Sequence, residues 1–272
     1  MIDESHQALT MQTFRTKFQA LSQLTVLDVQ KVFITGTLPV GLEEAFFREM
    51  SLPSHTIVLR APSHQLNISY HIVGYSKKNS EPISLISAAI RLLNRHHFLD
   101  GRKIIILCPN ISLADRIANR LGPCAISHSN RPEGTKDEKE RLWFEGHYDI
   151  MVATNGFSQG VDAPNVGLVI YVDHGYGLIN IIQGMGRAAR DGNRAIGLYF
   201  RNLDASGYPT KSHNDYECLE DAQRWLETKQ CRRLILSEVM DGRAQSCTDL
   251  DAVPCDICSP DDPITQGTKL LF

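Results

Sequence analysis

Residues 149–200 read DIMVATNGFSQGVDAPNVGLVIYVDHGYGLINIIQGMGRAARDGNRAIGLYF, and this stretch decides the fold. DIMVAT (Asp149–Thr154) and GLVIYVD (Gly167–Asp173) are short, nearly continuous apolar runs, the pattern of parallel strands buried on both faces. The first run opens at its carboxyl end into a loop that holds Gly156, Gly160 and Pro164 around Asp162, where open parallel sheets place their ligands. The second feeds a segment expected to be helical from Ile179 to Arg190.

Within that segment Gln183, Arg187 and Arg190 recur at i, i+4 and i+7, so one helical face is expected to present an amide and two guanidiniums. Gly184 and Gly186 interrupt it, each at a cost of about 0.8–1.0 kcal/mol relative to Ala, so something is expected to approach the backbone closely. Asp191 and Gly192 are suited to close the helix. The plain alternative is a solvated arginine face. That alternative gives the glycines no purpose, whereas a planar fork of donors is the group best suited to spread phosphate charge.

Outward from this segment, strand and helix alternate. KIIILCP (Lys103–Pro109) and CAISHS (Cys124–Ser129) read as strands, and SLADRIANRLG (Ser112–Gly122) as a helix capped by Ser112 and ended by Gly122. TKDEKERLWFEG is a polar helix docked by Leu142, Trp143 and Phe144, and Ile83 to Phe98 is an amphipathic one. The fold class expected is α/β, a three-layer sandwich with a mainly parallel sheet. Before it, residues 1–55 read as a remnant of another α/β lobe, with helical stretches at Met11–Leu24 and GLEEAFFREM and a strand at Val32–Thr37. Its apolar edge is expected to be exposed. Residues 56–82 read as an extended connector, 83–207 as the intact lobe, and 208–272 as a helical appendage whose acidic SPDDPITQGTK end should fray.

Of the 272 residues 42% are hydrophobic and 22% charged, enough for one complete core and part of another. A formal net charge of −3 gives no bulk electrostatic grip on nucleic acid, so such contacts would come from local loops. There is no signal-peptide pattern and no apolar run near the roughly 18 residues that span a bilayer, so an intracellular protein without membrane contact is expected, placed in the nucleus.

The seven cysteines fall into two groups. Cys108, Cys124 and Cys218 stand alone and read as inert thiols. Cys231, Cys247, Cys255 and Cys258, the last two a CxxC pair, read as a tetrahedral Zn²⁺ site before they read as disulfides. The alternative is four unconnected thiols.

VATNGFSQGVDAPNV followed by QGMGRAARDG resembles motifs V and VI of superfamily 2 helicases, and RAARDG is most similar to the RecQ branch. IDESH (Ile2–His6) resembles the DExH box, ITGTLP (Ile34–Pro39) motif III, and KIIILCP the motif IV strand. RAPSHQLNISY (Arg60–Tyr70) is similar to the segment joining the two motor lobes, especially in the fungal telomere-linked type. The cysteine before Arg232 and Arg233, with three further cysteines downstream, resembles the RecQ zinc module.

This resemblance implies a RecA-like second lobe of P-loop NTPase fold and an ATP-dependent 3′ to 5′ DNA helicase using ATP and Mg²⁺. Asp3 would hold Mg²⁺ through water, Glu4 would orient the attacking water, and His6, Thr35 and Thr37 would couple nucleotide state to the nucleic-acid cleft. Arg187 and Arg190 would reach the phosphates, Arg190 as the finger. Asp162, Gln183, Gly160 and Gly186 would shape the ATP site, and Thr154, Asn155, Ser127 and His128 would hold DNA phosphates, RNA being the other candidate.

Two departures from the family stand out. No GKT- or GKS-type phosphate loop is found in these residues, so by themselves they are expected not to turn over ATP. The segment after the DExH box, Gln7–Phe18, holds Phe14 and Phe18 but no tryptophan. Two other readings therefore stand beside the motor: an inactive remnant that binds nucleic acid, and a zinc-dependent interaction module.

Overall fold

The computed structural model describes residues 1–10, 27, 29–78, 81–130, 132–158, 162–173, 177–204 and 218–269. The helix expected at Met11–Leu24, with Phe14 and Phe18, and the loop glycine Gly160 lie outside them.

The strands are β1 (Ile68–Tyr75), β2 (Lys103–Cys108), β3 (Ala125–Ser127), β4 (Ile150–Thr154), β5 (Val166–Val172) and β6 (Ala195–Asn202). They form one sheet in the order β1-β6-β5-β2-β4-β3, with every neighbouring pair parallel. Alternation of side chains along each strand feeds two cores. Ile105, Leu107, Val169, Tyr171 and Tyr199 point to one face, and Ile104, Ile106, Leu168, Ile170 and Leu198 to the other. Helices cover both, because a parallel sheet leaves neither face to water.

On the second face lie α3 (Pro82–Arg95) and α4 (Ile111–Leu121), through Ile86, Leu93 and Ile117. On the first lie α5 (Glu133–Phe144), α6 (Leu178–Met185), α7 (Leu219–Glu227) and α8 (Arg232–Asp241), through Trp143, Ile181, Trp225 and Leu236. The three-layer α/β sandwich is therefore present as expected. No helix among the described residues is long and apolar enough to cross a membrane.

Several local readings need correction. α4 is capped by Asn110, not Ser112: its side-chain oxygen accepts from the Leu113 N–H at 2.9 Å, while Gly122 ends the helix at φ 92°. Trp143 alone docks α5 fully, and Phe144 is exposed. Part of the extended connector, Ile68–Tyr75, enters the sheet as its edge strand beside β6. The C-terminal stretch is not frayed throughout, since α9 (Pro263–Lys269) packs on α3 with Ile264 and Thr265 buried.

The N-terminal part is smaller. α1 (Gln7–Thr10) and α2 (Glu43–Glu49) share a cluster of Ala8, Leu9, Phe46 and Met50. Val32–Thr37 is not a strand; among the described residues its one sheet-like contact is the parallel bridge Ile2–Phe33. Val32 and Ile34 in this part, and Ile57 and Leu59 of the connector after it, are exposed.

Gly184 in α6 and Gly186 just after it have a structural cause. A Cβ on Gly184 would stand 2.1 Å from the Tyr171 hydroxyl and 2.8 Å from a Leu107 methyl, and one on Gly186 would meet the Gln65 amide at 2.9 Å. Gly184→Ala should therefore destabilise the lobe by about 2 kcal/mol, by overpacking and by disturbing the Tyr171 hydroxyl, which donates to Asn180 O at 2.7 Å. Denaturant midpoints would show it, and Tyr171→Phe should recover part of the loss. An unchanged midpoint in Gly184→Ala would refute the tight approach.

Candidate functional site

α6 ends at Met185, with Gly186 as its C-cap, so Arg187 and Arg190 do not share a helical face with Gln183. They lie in an irregular turn. Its backbone is held by Arg187 N–H to Gly184 O, Ala188 N–H to Met185 O and Gly192 N–H to Ala189 O. Ala189 takes a left-handed φ of 62°, and Gly192 one of 81°. The i, i+4, i+7 spacing fits a helix and this turn equally well.

The turn faces the N-terminal acidic segment. The Gln183 amide donates to Glu4 Oε2 at 3.3 Å and contacts His6 Nε2 at 3.0 Å, while His6 Nδ1 lies 2.7 Å from Thr35 Oγ1. An amide that already donates to a carboxylate gives His6 Nε2 the acceptor role, so Nδ1–H donates to Thr35. Thr35 Oγ1 also accepts from the Thr37 N–H at 3.2 Å. Thr35 and Thr37, the acidic segment 3–6 and the end of α6 thus form one chain of polar contacts.

Charges in this cleft are mutually dependent. Burial raises the Glu4 carboxyl, the Arg187 guanidinium pulls it back, and Asp3 beside it adds to the rise. Arg187, itself buried, is lowered by desolvation and by repulsion from Arg190. Arg190 is paired with Asp162 at 2.6 Å. A carboxyl held up by burial is a better proton acceptor than a solvated one, and it sits opposite two guanidiniums.

His6 is 2% exposed, and burial pushes its imidazole down from 6.5 to about 4, with the Asp3 carboxylate opposing. The unfolded chain takes up the proton first, so the stability tied to neutral His6 is fully present above about pH 6.5. It is lost as pH falls toward 4. An NMR titration of His6 should give a midpoint near 4, and a midpoint near 6.5 would show that its link to Gln183 is open.

Other expected residues are placed differently. Ser127 and His128 turn inward, 1% and 5% exposed, against Glu140 and Asp115. They present nothing to a phosphate backbone in this arrangement. Thr154 ends β4 half-buried, and Asn155 opens the 3-10 turn Asn155–Ser158. The spacing also missed Gln65 and Asn67 of the connector, whose amides hold the arginine turn.

The four late cysteines converge. Cys231 caps α8, and its sulfur and those of Cys247, Cys255 and Cys258 lie within 4.8 Å of one another. Tetrahedral thiolate ligation at Zn–S about 2.3 Å separates sulfurs by about 3.8 Å, so little contraction would be needed. Cys231 is held far below the ordinary thiol range by hydrogen bonds from Cys247 and Cys255, Cys247 is raised by the same contacts, and Cys258 is pushed up to about 12, chiefly by burial. Four cysteine sulfurs this close together are a donor set that a soft divalent cation fits. Arg232 fixes the CxxC segment to α8 through a bidentate pair with Asp256 at 2.7 and 2.8 Å.

Residues 84–192 match the helicase conserved C-terminal domain. This lobe is thus similar to the C-terminal domain of helicases. The putative ATP-dependent DNA helicase Q1 of Caenorhabditis briggsae is 26% identical over 236 residues, 83% of this chain and 37% of that protein. The ATP-dependent DNA helicase Q-like 2 of Arabidopsis thaliana is 23% identical over 271 residues, 95% of this chain and 37% of that one. The DEAD-box ATP-dependent RNA helicase 56 of Oryza sativa subsp. japonica is 25% identical over 207 residues, 74% of this chain and 46% of that one. The chain thus spans under half the length of these relatives.

Two solved structures share the fold of this lobe. They are the Mycobacterium smegmatis helicase Lhr bound to ssDNA and AMP-PNP (TM-score 0.55, 21% identity, covering 74% of this chain and 28% of that one) and S. cerevisiae Dbp5 bound to RNA and ADP BeF3 (TM-score 0.58, 16% identity, covering 83% and 56%).

Proposed function

We propose that this chain is the part of an ATP-driven, RecQ-type DNA helicase that closes on the nucleotide's γ-phosphate and converts hydrolysis into 3′ to 5′ movement. The observation that carries the reading is the contact of Gln183 with both Glu4 and His6, which sets the arginine turn opposite the acidic box. Phosphoryl transfer needs a metal ion, a positioned water and positive charge on the transferring oxygens. Asp3 would hold the Mg²⁺ that neutralises the phosphates. Glu4 orients the water and accepts its proton, and Arg187 and Arg190 meet the charge that develops on the transferred group.

In this reading Asp162 holds Arg190 in reserve. Its pair at 2.6 Å is exposed on the Asp162 side and can exchange for phosphate as the lobes close. These residues include no glycine-rich loop followed by lysine, so the phosphate cradle comes from outside them. Zn²⁺ on Cys231, Cys247, Cys255 and Cys258 would fasten α8 to the CxxC segment. The four-cysteine cluster together with the 60–70 connector favours the RecQ branch over RNA helicases. Full-length protein should hydrolyse ATP faster with single-stranded DNA than with RNA and should separate duplexes carrying a 3′ tail. Stimulation by RNA alone, or a requirement for a 5′ tail, would reject the branch assignment.

A further inference from the structure

The arginine turn lacks the regular hydrogen bonds of a helix, and Ala189 adopts a left-handed φ of 62°, which is unfavourable for a residue with a Cβ. Something outside the turn must hold it. We propose that Asn67 is the positioning residue that fixes Arg187 and Arg190, a role that rests on the reading of those arginines as phosphate-facing. The Asn67 side-chain amide donates to Ala189 O at 3.0 Å and to Asn193 O at 3.2 Å. Both hydrogens of one amide thus bridge the two ends of the five-residue span 189–193.

Neighbouring groups complete the grip. Gln65 Nε2 donates to Gly186 O at 3.3 Å where the turn begins, and Arg102 NH1 donates to Arg194 O where it ends, at 2.6 Å. The Arg102 guanidinium also faces Asp191 at 3.6 Å. The connector that carries Gln65 and Asn67 is in turn pinned by buried Arg233 of α8, whose NH2 donates to Gln65 O at 2.9 Å and Ile68 O at 2.6 Å. A rigid path of hydrogen bonds therefore runs from the helix that opens with Cys231 to the backbone carrying both arginines.

Asparagine is well matched to this task. Aspartate has the same shape but would set carboxylate oxygens against two carbonyls, and alanine removes both donors. The backbone of Asn67 is held independently, because its carbonyl accepts from the Ala195 N–H at 2.9 Å, so substitution leaves the start of β1 in register with β6.

The test pairs hydrogen exchange on this chain with turnover in the full-length protein for Asn67→Ala, Asn67→Asp, Arg190→Ala and Asn67→Ala combined with Arg190→Ala. Amides of Ala189, Gly192 and Asn193 should exchange about tenfold faster in both Asn67 variants, with β2 and β5 unchanged. The kcat should fall about tenfold or more with KM within about threefold, and the double variant should lose no more than Arg190→Ala alone. Unchanged exchange in the turn, exchange accelerated throughout the sheet, or normal kcat despite a loosened turn would each overturn the assignment to Asn67. If Arg190→Ala itself leaves turnover intact, the proposed function fails. Exchange in the turn then decides by itself whether Asn67 holds it.

Discussion

Arg190→Ala should lower ATP turnover by about 10³-fold or more while changing nucleotide affinity only a few-fold, because a finger acts on charge that develops in the transition state. The ground state already gives Arg190 a partner in Asp162, so its removal leaves the resting cleft nearly as it was. Arg187 is different. It is 7% exposed and coupled to Glu4, so its loss should also disturb the resting charge balance of the acidic box. Single-turnover kinetics with a fluorescent ATP analogue separates the two effects. Near-normal turnover in Arg190→Ala would remove it from its role.

Removing metal should give the other large effect. We expect about one Zn²⁺ per chain, and chelation should loosen residues 243–258 while leaving the sheet intact, since thiolate coordination in small modules is worth on the order of 10 kcal/mol. The structure narrows where that loosening stops. Trp225 is fully buried and stands edge-on to Tyr70 and Tyr199, at 6.0 and 6.3 Å, so α7 should stay docked without metal. Cys255→Ser and Cys258→Ser should reproduce the loosening, and Cys218→Ser should not. Elemental analysis without zinc in a reduced sample prepared free of chelator would refute the assignment.

The central strands were legible because they are uninterrupted apolar runs, and only a doubly covered parallel sheet asks for those. Gly184 and Gly186 likewise announced a close approach, although the approaching groups, Tyr171 and Gln65, could not be read from spacing. The four cysteines were legible as a set, Cys247 included, despite its distance in sequence.

What failed were features decided by remote partners. β1 escaped as a strand because Ser69 and His71 break its apolar pattern. They bond each other, and Ser69 also donates to Pro254 O, 185 residues away. Ser127 and His128 looked available until Glu140 and Asp115 arrived from two different helices. The acidic SPDDPITQGTK end reads as frayed until Leu92 of α3 is packed against Gly267 of α9. The helix after β5 ended one turn early because Gly186 gives way to a turn gripped by Gln65, Asn67 and Arg102, none of them near it in sequence.

The most direct measurement is nucleic-acid-stimulated ATP hydrolysis by the full-length protein carrying Glu4→Gln. This substitution preserves the shape of the side chain that meets Gln183 but removes the carboxylate that, in the proposed function, accepts the water's proton. Turnover should fall about 10²-fold or more, with ATP still bound and nucleic acid still bound in its presence. Hydrolysis at the unsubstituted rate would contradict the claim that the acidic box and the arginine turn act on one nucleotide.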